Sequence, residues 1–576
     1  MKKYFFLFVF SLLLSIGIAR PIYAVSDPRS VPNNKFGIHV ADPNDLPDAA
    51  TLLNSSGGTW GYVTFVIQDD DKNFNKWQSI MDTMRRLELI PIIRIGTHVT
   101  GDSWVIPDDT DIDRWVDFLD KLLWPTKNRY VVLFNEPNHA KEWGYKIDPP
   151  GYADIFLKYR KKLKERSEDF FVLPAGLDTA ASNDGEAMNA ESYIRQMISG
   201  HPEMLDMMDG WTSHSYPNPG FSGSVYGSGK GSIRSYSWEI SLLKELGLKH
   251  DLPIFITETG WMHSEGKYRT ATLLSPQEVA NRLAIAGTSV WDDKNIVAIT
   301  PFLLNYQDYP FDHFSFKKLG GGDYYPMYDA YRNIKKTKGR PVQLETARIE
   351  GIPEDLLPHK LIVNGTTQVT ATIKNTGQSI IDPTKGYRMN VLDTSHSFTV
   401  VPGQIPILEP GGTGTINLDI RSPQSPGQYP LELTLTHDDG PTLLKLSGTI
   451  TVIPPPTIYV TTQFGFKKSD VCMPITVLIY NDREEIIYKS VNPPCKSGTY
   501  TVSNLSRVIP DKKYRTVIVS TYYLPRQIIL RMVEGGIKAE FSRMLPVDIN
   551  GDGTFNYKDI LAFFMIKPAE LFSRIF

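Results

Sequence analysis

Cysteine is scarce: Cys472 and Cys495 are the only two in 576 residues. At most one disulfide can form, and the sequence leaves open whether these two make it or stay as buried thiols. Charge imbalance is also missing. With 61 basic and 64 acidic residues the net charge is −3, so no basic footprint for nucleic acid is present. Beyond the N-terminus no apolar run is long enough to cross a bilayer. None of the 11 histidines falls in a His-Glu-x-x-His pattern, so no catalytic zinc of that kind is expected. A phosphate-binding loop is absent too. Gly227-Ser228-Gly229-Lys230-Gly231-Ser232 has Ser224 where the first glycine of that motif belongs, and glycine after its lysine. Tryptophan disappears after Trp291, although all ten lie from Trp60 up to that point. The two parts of the chain are therefore different kinds of domain.

What is present begins with a secretory pattern over residues 1–24. Lys2 and Lys3 precede an apolar stretch, Phe5 to Ile18, too short for a comfortable membrane span. Cleavage is expected after Ala24, with an uncleaved anchor as the alternative. Either way the protein is expected to be secreted or cell-surface associated.

Residues 25–340 alternate strand and helix. The expected strands are Gly37–Val40, Gly61–Ile67, Pro91–Gly96, Tyr130–Phe134, Phe171–Ala175, Gly210–His214, Pro253–Thr257 and Ala298–Leu303. Between them, Phe74, Trp77, Met81, Met84 and Leu87 recur at helical spacing, as do Ile112, Trp115, Leu119 and Leu122. Ser275-Pro276-Gln277-Glu278 reads as a helix start with a capping box. Eight such repeats predict a (β/α)8 TIM barrel rather than an open doubly wound sheet.

Helical periodicity then stops. Residues 341–456 carry alternating strands such as Gln368–Lys374, Thr415–Ile420 and Leu431–Thr436, separated by glycine- and proline-rich turns, and predict an Ig-like β-sandwich. Pro454-Pro455-Pro456 is a stiff linker into a second β-rich module, 457–545, which holds both cysteines. Residues 546–576 contain a different signal. Asp548, Asn550, Asp552, Asn556 and Asp559 fall at positions 1, 3, 5, 9 and 12 of a loop with Gly553 at position 6 and Thr554 at position 7. That is the spacing of a calcium loop, where position 7 offers its carbonyl. A structural Ca2+ is expected there, and no cofactor is expected for catalysis.

Two apolar strands end abruptly in carboxylates: Val131-Val132-Leu133-Phe134-Asn135-Glu136 and Pro253-Ile254-Phe255-Ile256-Thr257-Glu258. Residues closing parallel strands reach the C-terminal rim, where α/β folds place their chemistry. Two carboxyl groups flanking one bond are what glycoside hydrolysis requires. Asn135 is placed to hydrogen-bond a sugar hydroxyl, and Trp261, close after Glu258, to floor a sugar subsite. His98, Trp104 and Trp143 are expected mainly in core or loop packing.

Asn135-Glu136-Pro137 after the fourth strand and Thr257-Glu258-Thr259-Gly260-Trp261 closing the seventh resemble the signatures of glycoside hydrolase clan A. His214-Ser215-Tyr216 resembles the clan's His-x-Tyr strand end, and the three motifs occur in the clan's order. The resemblance covers roughly residues 33–338 and fits family 5 and family 39 types alike. It implies a retaining mechanism with Glu136 as acid/base and Glu258 as nucleophile. It further implies that Tyr216 bonds the nucleophile and that His214 contacts substrate or the acid/base. Arg94 would lie beneath the nucleophile, or in a structural ion pair. The clan's aromatic residue after the eighth strand is usually tryptophan; Tyr306 stands nearest here. The C-terminal loop resembles one dockerin repeat, which implies a cohesin-type or cell-surface partner; a lone calcium staple is the alternative. The expected activity is hydrolysis of O-glycosidic bonds in a poly- or oligosaccharide. A catalytically inactive glycan-binding or adhesion protein and a transglycosylase are the rivals.

Overall fold

The computed structural model describes residues 25–350, 356–392, 397–438, 440–567, 569, 572 and 575; the expected secretory segment 1–24 lies outside them. The chain divides into two compact units. One runs to Glu345 and includes Gly377–Ser379; the other takes Thr346–Thr376 and Ile380–Phe576.

The first unit repeats strand and helix eight times. Its strands are β1 (Gly37–His39), β2 (Gly61–Gln68), β3 (Leu89–Gly96), β4 (Arg129–Leu133), β5 (Phe170–Leu173), β6 (Trp211–His214), β7 (Ile254–Glu258) and β8 (Ile296–Ile299). The helices that follow them are α1 (Leu46–Leu53), α2 (Phe74–Arg86), α3 (Asp109–Lys121), α4 (Pro149–Arg166), α5 (Ala190–Gly200), α6 (Ser235–Glu245), α7 (Pro276–Ile285) and α8 (Pro326–Arg332). All pairings among these eight strands are parallel. β1 to β5 form one sheet in sequence order and β6 to β8 another. Parallel bridges Asp178↔His214 and Phe36↔Ile299 link the edges of the two sheets.

Local chemistry explains the elements. The strands are buried on both faces, as parallel strands between helices must be, and so read as continuous apolar runs. α2 buries Trp77, Ile80, Met81 and Met84 on one stripe, and Asn73 caps it by accepting from the Lys76 N–H. The capping box predicted at Ser275 and Glu278 opens α7. The eighth strand differs from expectation: it covers Ile296–Ile299 and stops before Leu303, the chain turning away once its pairing with β7 ends.

The core of this unit has two parts. A large cluster fills the space between strands and helices. A smaller one gathers Tyr62, Ile90, Ile92, Tyr130, Val132, Phe171, Leu173, Phe255, Val297 and Ala298, drawn from strands of both sheets. In β3 and β4 these are alternate residues, so they share one face. The next residue on that face of β3 is Arg94, which places a cation just past the apolar cluster, toward the C-terminal strand ends.

The second unit holds two β modules. The first pairs a four-stranded sheet (Ala347–Ile349, Thr366–Asn375, Thr413–Arg421, Thr399–Pro402) with another (Lys360–Ile362, Thr442–Ile453, Gly427–His437, Tyr387–Leu392). Both sheets supply one core, with Ile416, Leu418 and Ile420 from one and Leu431, Leu433 and Leu435 from the other. The second module repeats the scheme around Val460, Val477, Tyr500 and Ile518. Cys472 and Cys495 form a disulfide in this module, which resolves the alternative that the sequence leaves open. A final helix, α9 (Tyr557–Met565), follows the predicted calcium loop. Among the described residues no helix is long and apolar enough to cross a membrane.

Candidate active site

The C-terminal strand ends of the first unit surround a cavity of about 630 Å3. Glu136 and Glu258 both line it, and so do Arg94, Asn135 and Tyr216. Each arrives by a distinct local device. Past β4 the chain bends: Phe134 and Glu136 have φ of 72° and 27°, the left-handed region that residues with a Cβ seldom enter. Such a conformation costs of order 1–3 kcal/mol and is typical of functional sites. The Glu136 N–H is anchored on the Gly176 carbonyl at 3.1 Å. On β7 a bulge does the aiming. Ser213 pairs with Ile256, but the next residue, His214, pairs with Glu258, so Thr257 is extra and Glu258 is re-aimed.

Polar contacts then fix both carboxylates. His214 Nδ1–H donates to Glu136 Oε1 at 2.8 Å, and the same nitrogen lies 3.9 Å from Glu258 Oε2. Those two distances, added, bound the separation of Glu136 Oε1 and Glu258 Oε2 at about 6.7 Å. Tyr216 donates its hydroxyl to Glu258 Oε2 at 2.9 Å, and Arg94 Nη1 donates to Glu258 Oε1. The same Nη1 reaches Asn135 Oδ1 at 2.7 Å.

Electrostatics hold Glu258 ionised. Burial alone would push the Glu258 carboxyl up, but the charges of His214, Arg94 and His39 and the Arg94 hydrogen bond outweigh it and bring it down to about 2. Burial opposes the charged form of His214, whereas Glu258 and Glu136 favour it and raise its pKa. His214 sits on Gly176 with no space between: a Cβ at Gly176 would lie 2.3 Å from His214 Cδ2.

Two expected substrate contacts fall elsewhere. Trp261 is 2 % exposed, donates its indole N–H to the Gly223 carbonyl at 2.9 Å, and does not line the cavity. Its strand-end position turns it into the core instead. Tyr306 packs edge-on against Phe311 at 5.4 Å and is likewise outside the wall. The aromatic residue nearest the end of β8 in the wall is Phe302, with Phe311 and Phe314 beside it. Trp104, expected in packing, lines the cavity; Trp143 also borders it but is 1 % exposed and packs in the core against Phe134 and Tyr152, as expected. His98 pairs with Asp69 at 2.8 Å and is not in the wall.

Three further groups carry no strong sequence signal. His39, at the end of β1, is buried with neither ring nitrogen hydrogen-bonded; burial first, then the Arg94 charge, lowers it to about 3. Asp178, after β5, lines the cavity and pairs with His139 at 2.9 Å. Glu142, in the turn Ala140–Glu142, also lines it.

The C-terminal loop is folded on its own side-chain hydrogen bonds. Asp559 accepts the N–H groups of Ile549, Asn550 and Asn556, and Asp552 accepts from Asn550, Thr554 and Asn556. Asp548 Oδ2 accepts from the Gly553 N–H, while its buried Oδ1 has no hydrogen-bond partner. Among the described residues no three His, Cys, Asp or Glu side chains are gathered as a metal site.

No protein-family model matches the chain, and no curated protein matches it. Solved structures do. A family 39 glycoside hydrolase from Bacteroides cellulosilyticus WH2 is 14 % identical with a TM-score of 0.37, over 69 % of this chain and 82 % of its own. A calcium-binding mutant of Bacteroides uniformis beta-glucuronidase 2 is 11 % identical with a TM-score of 0.35, over 87 % and 64 %. A family 51 alpha-L-arabinofuranosidase from Bifidobacterium longum is 10 % identical with a TM-score of 0.35, over 68 % and 94 %. These three neighbours are glycoside hydrolases.

Proposed function

We propose that the first unit is a (β/α)8 barrel that hydrolyses O-glycosidic bonds with retention of configuration. One observation carries the reading: two carboxylates from separate strands, no more than about 6.7 Å apart at one oxygen pair, share one histidine at the mouth of a cavity. That ceiling is compatible with the roughly 5–5.5 Å of double displacement and meets the roughly 6.5–9.5 Å that admits a water between the groups only at its lower edge.

In the first step Glu258, held ionised, attacks the anomeric carbon and forms a glycosyl ester. Glu136 gives its proton to the departing oxygen as the old bond breaks. In the second step Glu136 takes a proton from water, whose oxygen displaces Glu258 and restores both groups. Arg94 and Tyr216 hold the two Glu258 oxygens, so the nucleophile keeps one orientation through both steps. His214, with its bond to Glu136, orients the acid/base. Purified protein tested against a panel of aryl glycosides and polysaccharides checks the activity; binding without cleavage across the panel would favour the glycan-binding alternative.

Gly176 offers a test of the His214 support. Gly176→Ala forces a methyl into the His214 ring, so the bond to Glu136 should lengthen. A misplacement of this kind is expected to lower kcat roughly 100-fold. Overpacking should lower stability by about 1–3 kcal/mol, with the fold retained by circular dichroism.

Export or attachment at the cell surface is part of the proposal and rests on the pattern in residues 1–24. So is a Ca2+ held by Asp548, Asn550, Asp552, Thr554, Asn556 and Asp559. The unpartnered Asp548 Oδ1 and the all-oxygen donor set support that cation, which would neutralise the carboxylates and order the loop before α9. A cohesin-type or cell-surface partner for this segment follows only if the cation does. Calorimetric titration of the full chain with Ca2+ should give one site, lost in Asp548→Ala; no heat at millimolar Ca2+ would contradict it.

A further inference from the structure

Glu142 belongs to none of the motifs that point to the site, yet its side chain faces the same cavity. The wall contains four carboxyl groups, Glu136, Glu142, Asp178 and Glu258, against a single guanidinium, that of Arg94. Arg94 is already committed to Glu258 and Asn135. Asp178 has its own partner in His139 at 2.9 Å. Glu142 forms no ion pair among the described residues; its side chain is hydrogen-bonded to Asn135. Glu136 and Glu258 both lie against His214, so Glu142 is the wall carboxyl without a cationic partner, and the wall has no cation left to receive a substrate carboxylate or sulfate.

We propose that Glu142 sets the charge selectivity of the cavity, admitting sugars that are neutral or carry an ammonium group and rejecting uronates and sulfated sugars. The inference rests on the glycosidase reading above and narrows its substrate class. The physical reason is like-charge repulsion in a partly desolvated space. There an anion beside Glu142 has neither water nor a counter-ion to screen it, whereas an ammonium gains a partner. Two features of the site agree. Burial, then the charge of Glu136, push the Glu142 carboxyl up to about 7, so it carries its uncompensated charge above that pH and is neutral below it. Trp104 lines the same cavity, is partly exposed, and supplies an uncharged face on which a sugar ring can stack.

The test compares three substrates of one linkage at pH 8, where Glu142 is ionised: a neutral oligosaccharide that the enzyme cleaves, its uronate counterpart and its 2-amino counterpart. For the wild-type protein kcat/KM should be at least about 100-fold lower for the uronate than for the neutral substrate, and no lower for the amino sugar. Glu142→Gln keeps the side chain's shape and a carbonyl oxygen that can accept from Asn135, and removes the charge. It should narrow the neutral-to-uronate ratio by about tenfold or more. Equal rates on all three substrates, or a ratio unchanged in Glu142→Gln, would overturn this inference while leaving the glycosidase reading intact. A purely positioning role through Asn135 would lower all three rates together and keep the ratio. Absence of cleavage of every substrate would instead remove the glycosidase reading, and this inference with it.

Discussion

Glu258→Gln is expected to lower hydrolysis roughly 10^4-fold or more, because an amide cannot form the glycosyl ester on which double displacement depends. Sugar binding should persist within about tenfold, since the cavity wall keeps its shape and Gln retains a carbonyl oxygen for Tyr216. That split between binding and turnover separates an enzyme from a glycan-binding barrel. Glu258→Ala opens space for a small external nucleophile. Azide should then restore cleavage and give a glycosyl azide of inverted configuration, because only one displacement occurs. The variant has a thermodynamic signature as well. Glu258 is buried in an ion pair with Arg94, and neutralising one partner leaves the other charge uncompensated, at about 3–5 kcal/mol. The pair's contribution follows from the folded carboxyl being lowered from 4.5 to about 2. It is fully present above about pH 4.5 and is lost as the pH falls toward 2. A stability measurement on wild type and Glu258→Gln should show the gap closing over that window, and a gap independent of pH would contradict the assignment.

Glu136→Gln is expected to lower kcat/KM by 10^2–10^4-fold on substrates with poor leaving groups, the usual range for removing a general acid. On aryl glycosides whose phenolate leaves unaided, glycosylation should be nearly normal, and hydrolysis of the ester becomes the slow step. A burst of phenolate equal to the enzyme concentration is the measurement. Its absence, with both substrate classes slowed alike, would assign Glu136 a binding rather than a proton-transfer role. Azide should rescue Glu136→Ala with retained configuration, opposite to the outcome for Glu258→Ala. The pair of variants thus distinguishes the two roles by stereochemistry, not by rate alone. A transglycosylase would show the same dyad behaviour but transfer to sugar at high substrate concentration.

Much of this site was legible because its residues obey local rules. Glu136 and Glu258 stand out where apolar strands stop at a carboxylate, and Arg94 was expected from the resemblance, beneath the nucleophile or in a structural ion pair. The residues that sequence misplaced depend on turns that alternation does not govern. Trp261 lies only three positions past Glu258, yet its chain has left the strand and its indole turns inward to the Gly223 carbonyl. Tyr306 is the aromatic residue that the resemblance suggested after the eighth strand, but β8 ends at Ile299, and Phe302 reaches the wall first. Glu142 sits in a single turn of 3-10 helix, with no periodicity to announce its direction. His39 looks like any polar residue at a strand end. Only the packing of neighbouring strands places it beside Arg94, Glu258 and His214, with both nitrogens unpaired. In the second unit, strand alternation in Thr413–Arg421 located the sandwich core directly, because every second side chain is buried there.

The measurement that tests the central claim most directly is the anomeric configuration of the first sugar released by the wild-type protein. Proton NMR during the opening minutes of hydrolysis, before mutarotation, reads it. The account predicts a product with the same configuration as the substrate, as two successive displacements at one carbon require. An inverted product would contradict the covalent role of Glu258 and recast it as a base acting through water.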